Sequence, residues 1–76
     1  MKALLNTINR AILLYQIRSM EVTIDGQGEC LALVDDLSMR GQIIVARAVA
    51  RRELARLRAE YNATFPPGKR VIWRMA

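Results

Sequence analysis

The stretch from Leu13 to Leu31, LLYQIRSMEVTIDGQGECL, decides the fold. It contains Gly26 and Gly28, each about 1 kcal/mol worse than alanine inside a helix. A loop at these glycines would make three helices, and a helix running through them would make two. The apolar spacing chooses between these. Leu13, Ile17, Met20 and Ile24 step by four, three and four, and Leu31 follows seven residues later. The phase therefore survives the glycines, where a loop would normally reset it. This predicts one long helix over about residues 3–34. The glycines are then places of close helix packing or a kink, with a functional hinge as the other reading.

Working outward, residues 35–37 read as a turn, and a second helical pattern runs over about residues 38–64. Asp36 is placed to cap that helix, because its carboxylate can accept from unpaired backbone N–H groups at the positive end of the dipole. The two helices would be roughly 48 Å and 42 Å long at ~1.5 Å per residue. Near-equal lengths and a short turn call for an antiparallel hairpin. The expected fold is all-α: a coiled-coil-like two-helix hairpin over residues 1–65, then a tail over 66–76. Pro66-Pro67-Gly68 cannot continue the helix and ends it.

The apolar surface exceeds what a single hairpin can bury. Besides the first stripe, Leu4, Leu5, Ile8, Ala11, Ile12 and Tyr15 form a second one on the first helix, joined later by Val22 and Leu33. One partner helix covers only one stripe. The second helix has a seam at Met39, Ile43, Ala46, Ala50, Leu57 and Tyr61, which leaves Ile44, Val45 and Val49 over. Surplus apolar patches mark interfaces, so a homo-oligomer is expected, a dimer first, in the form of a four-helix bundle. The candidate self-association residues are Leu13, Ile17, Met20, Ile24, Leu31, Ile44, Val45 and Val49.

Composition supports this. A chain of 76 residues buries only about 60% of its unfolded surface, and scaffolds this small usually need a staple. Cys30 is the single cysteine and histidine is absent, so neither an internal disulfide nor the commonest metal ligand is at hand. Oligomerisation is the staple that remains. No apolar run approaches the ~20 residues of a membrane span, and a lone cysteine fits a reducing cytoplasm.

Catalysis finds little footing. Asp35 and Asp36 read as turn and cap, and Cys30 has no histidine to activate it. Residues 25–29 lack the ligand pattern of a calcium loop, and Gly26-Gln27-Gly28 is too short for a phosphate cradle. No enzyme activity, cofactor, metal or small-molecule substrate is expected, and no membrane partner.

The basic residues say more. Residues 1–38 carry three Lys or Arg against five Asp or Glu, a net of −2, and residues 39–76 carry nine against two, a net of +7. Arg40, Arg47, Arg51 and Arg58 are spaced seven, four and seven apart, on one face of the second helix. One reading is a solvated face with some arginines paired to Glu21, Asp25 and Glu29 across the hairpin. Another is phosphate contact, which would bind any duplex in a salt-dependent way. A third is an acidic protein partner. Arg52 and Arg56 form a smaller strip, with Arg56 able to pair with Glu60. The tail alternates Lys69, Arg70 and Arg74 with Val71, Ile72 and Trp73. It either folds back over the bundle end or is offered to a partner, through Trp73 above all. Base stacking by Trp73 is a further reading.

Met20-Glu21 through Ile24-Asp25-Gly26 to Glu29-Cys30-Leu31-Ala32, the Ala/Arg/Glu-rich segment from Ala46 to Tyr61, and the Pro66-Pro67-Gly68 stop cover about half the chain. In these segments the chain resembles small accessory proteins encoded in the early regions of lambdoid temperate phages. The resemblance implies a short helical protein of the host cytoplasm that modulates a host or phage process through protein contacts. It carries no functional residues over. The expected function is a self-associating protein-interaction module that regulates another protein, and the alternative is a nucleic-acid-binding dimer using the arginine stripe.

Overall fold

The structure, a computed structural model, describes residues 2–73. Two helices, α1 (Lys2–Leu33) and α2 (Leu37–Ala63), form an antiparallel hairpin, followed by a single 3₁₀ turn at Pro67–Lys69. The chain is all-α, as the periodicity requires, and extends 52 × 21 × 15 Å. α1 passes through Gly26 and Gly28 without a break, and no residue among those described has a positive φ. The three residues between the helices suffice because Asp36 caps α2, its carboxylate accepting from the Ser38 N–H at 2.9 Å. A cap of this kind stabilises a helix by about 1 kcal/mol.

The core is one seam. Leu13, Ile17 and Ile24 of α1 meet Ala50, Leu54 and Leu57 of α2, with Met20, Tyr61 and Trp73 packed around them. Ile17 is fully enclosed, which contributes about 1.5–3 kcal/mol. On α2 the inner row follows the three-four rhythm through Ile43, Arg47, Ala50, Leu54, Leu57 and Tyr61, of which Ala50, Leu54 and Leu57 are buried and the others half-buried. Two expectations for this seam are corrected here. Met39 and Ala46 lie outside it and are exposed, whereas Leu54 is buried. An apolar-only reading stepped to Ala46 because it would not place a charged residue at Arg47 in the seam.

The stripe of Leu13, Ile17, Met20, Ile24 and Leu31 is therefore consumed within the chain. Leu13, Ile17 and Ile24 are buried against α2, and Met20 and Leu31 are half-buried. These five candidate self-association residues thus lie buried or half-buried in the folded chain. The stripe that stays open on α1 is the second one.

Candidate interaction surface

The four arginines of the α2 stripe have different fates. Arg40 reaches back to the C-terminus of α1, where its guanidinium donates to the carbonyls of Leu31 and Val34, the latter at 2.9 Å. The last carbonyls of a helix lack internal partners and carry the negative end of the dipole, so a cation is favoured there. α1 has no basic residue in its own last turn, and α2 supplies one. The arrangement is reciprocal. Arg10 of α1 donates to the Thr64 hydroxyl at 3.0 Å and to the Thr64 carbonyl at the end of α2, and it lies 4.0 Å over the Phe65 ring.

Arg47 lies in the seam. A Cβ built on Gly28 would stand 3.1 Å from the Arg47 guanidinium, so the missing side chain is what lets this arginine cross α1. Arg47 Nε and Gln27 Oε1 are both buried without a hydrogen-bond partner among the described residues. Arg58 stacks 5.1 Å from the Trp73 ring. Of the four, only Arg51 is exposed without a partner among the described residues. The expected pairing of arginines with Glu21, Asp25 and Glu29 across the hairpin is absent among the described residues. The ion pairs join Arg56 to Glu53 and Glu60, all on α2. The Arg56 side-chain hydrogen bond holds the Glu53 carboxyl below its usual range, and that bond and the Glu53 charge push Arg56 up. Arginines that reach carbonyls and aromatic rings leave the α1 carboxylates without an ion pair among the described residues.

The tail is docked. Asn62 clasps Val71 in both directions, its amide donating to the Val71 carbonyl at 2.9 Å and its oxygen accepting from the Val71 N–H at 3.0 Å. Arg70 donates to the carbonyls of Asn62 and Phe65. Tyr61 then holds Phe65 and Trp73 edge-on, at 5.2 and 6.0 Å between ring centres. Trp73 is half-buried with its indole N–H enclosed, whereas Ile72 is 93% exposed. Arg74 lies outside the described residues.

What remains open is apolar and sits on the outer sides of both helices. On α1, Leu4, Leu5, Ile8, Ile12, Tyr15, Val22 and Leu33 are exposed, as are Leu37, Ile44, Val45 and Val49 on α2. At 100° per residue, these rows fall on the sides of the helices turned away from the seam. The antiparallel register places the denser part of the α1 row at the open end of the hairpin and the α2 row at the turn. Ile44, Val45 and Val49 thus lie where the spacing put them. The α1 outer row is the part of the surface that the self-association residues did not include, although the sequence pattern displays it. A shallow, open groove between the helices has a mixed lining, with Tyr15, Met20 and Leu57 beside Gln16, Ser19, Thr23, Glu53 and Arg56.

Among the described residues no helix is long and apolar enough to cross a membrane, and no three Cys, Asp or Glu side chains gather as a metal ion would require. In comparisons with protein-family models, curated proteins and solved structures, nothing matches this chain.

Proposed function

We propose that this chain is a non-enzymatic interaction module that self-associates through its outer apolar faces and modulates a host or phage process by binding another protein. The observation that carries this reading is the imbalance of apolar surface. Among the described residues, six side chains form the buried core, while fourteen large hydrophobic side chains are at least 41% exposed. A core this thin is marginal alone, and exposed apolar rows of this extent are what association covers. The phage setting and the regulatory role rest on the resemblance in the segments 20–32 and 46–61.

The alternative, phosphate contact through Arg40, Arg47, Arg51 and Arg58, has less to support it. Arg40 and Arg58 already have partners in the chain and Arg47 is half-buried against Gly28, so a duplex would have to draw these three away. Titrating a labelled DNA duplex at low and near-physiological salt checks it: the protein-interaction reading expects no binding that collapses as salt rises.

Self-association has its own test in the melting temperature. Binding between folded copies stabilises them by mass action. The melting temperature should therefore climb as the protein is concentrated about a hundredfold, and a constant value over that range would contradict the reading.

A further inference from the structure

α1 carries a second seven-residue pattern on the side turned away from α2. Steps of three and four starting at Ile8 pass through Tyr15, Ser19, Val22 and Gly26 to Leu33. Tyr15, Val22 and Leu33 are 75%, 71% and 82% exposed. Gly26 is the informative member of the row. A Cβ built on it meets nothing within 4 Å, and its φ is not positive. Gly28, two residues on, makes room for Arg47, but nothing in its own chain needs a glycine at position 26. Glycine is the poorest helix former after proline, and its one structural gift in a helix is close approach from outside.

Charge gives the register. Arg18 and Asp25 lie on the same flank of this row, both exposed, and neither is in an ion pair among the described residues. Antiparallel packing of α1 on a second α1 keeps the rows facing each other only at particular offsets. With the two-fold axis at Ile17, the two Arg18 side chains stand side by side. With the axis at Ile24, Arg18 of each copy stands beside the exposed Glu29 of the other, but the two Asp25 side chains meet and the overlap shortens. With the axis between Met20 and Glu21, Arg18 of each copy stands beside Asp25 of the other. That offset sets Ile8 opposite Leu33, Ser19 opposite Val22 and Tyr15 opposite Gly26.

We propose that a second copy of this chain is the occupant of the outer face of α1, packed antiparallel about that axis, with Tyr15 of each copy lying over Gly26 of the other. The contact is isologous and closes on itself as a dimer. In each of its two equivalent halves the open end of one hairpin lies against the turn end of the other, and Ile44, Val45 and Val49 of α2 stay outside the contact. The inference rests on the self-association proposed above and names its surface and register.

Cross-linking tests it in the full chain with Cys30→Ser. Positions 15 and 26 are roughly 16 Å apart along one helix, too far for a disulfide within a chain, which needs Cα atoms about 4.4–6.8 Å apart. Tyr15→Cys with Gly26→Cys should give a disulfide-linked dimer under mild oxidation at micromolar protein, and neither single cysteine variant should. In parallel, Gly26→Leu should weaken dimerisation by about tenfold or more in sedimentation equilibrium while the circular dichroism stays helical. A wild-type dimer with no cross-link and no effect of Gly26→Leu overturns this face and leaves self-association standing. A wild-type monomer overturns both.

Discussion

Two arginines each close the end of the helix they do not belong to. Arg40 satisfies the last carbonyls of α1, and Arg10 those of α2. Hydrogen bonds to a charged group are worth about 1.5–3 kcal/mol, so Arg40→Ala should lower the unfolding free energy by about that amount in urea titrations, more than Arg51→Ala, whose side chain is exposed. The glycines predict opposite balances. With the protein dilute enough to be monomeric, Gly26→Ala should raise stability by about 1 kcal/mol, the helix-propensity difference, since the new methyl meets nothing. Gly28→Ala should gain less because the Arg47 guanidinium must give way. Thermal melts of the two variants side by side check this. The Arg56–Glu53–Glu60 cluster adds a pH effect of fixed sign. Glu53 has a folded-state pKa below its unfolded value, so its contribution is present above that unfolded value and is lost as pH falls through the folded one. The Asp36 cap was legible at this scale because it depends on adjacent residues. The roles of Arg10 and Arg40 were not, since a charge pattern on one helix says nothing about which carbonyls end beside it.

At the scale of elements, the hairpin follows from the three-four rhythm of both helices. The four-three-four run from Leu13 to Ile24 correctly carried α1 through its glycines, because apolar phase depends only on spacing within one helix. The α2 seam was less legible. Arg47 occupies a seam position, and an apolar pattern steps around it to Ala46 and misses Leu54. Leu54 is buried, and Leu54→Ala should cost about 2–5 kcal/mol, enough to unfold much of so small a core, with the loss read from helicity at 25 °C. Met39→Ala, at an exposed position, should change it little. The tail shows the same limit of sequence. Alternating basic and apolar residues fit both a docked and a free segment, and the choice depends on Asn62 meeting Val71. Asn62→Ala should release Trp73, giving a red-shifted and more readily quenched tryptophan emission. Unchanged emission would mean that the aromatic contacts with Tyr61 hold the tail by themselves.

The whole molecule is a narrow two-helix rod whose apolar residues lie partly in the seam and largely on its outer sides. Surplus apolar surface was legible from residue counts along each stripe. Which stripe would be spent inside the hairpin was not, because both α1 stripes have helical spacing and only the pairing with α2 separates them. That pairing buries the stripe of Leu13, Ile17 and Ile24 and exposes the row from Leu5 to Leu33. A second copy covering this exposed surface is the central proposal for the molecule. Sedimentation equilibrium of the unmodified chain tests this most directly. The mass should rise with concentration from 8.6 kDa toward twice that value. A mass that stays at that of one chain into the high micromolar range would contradict it.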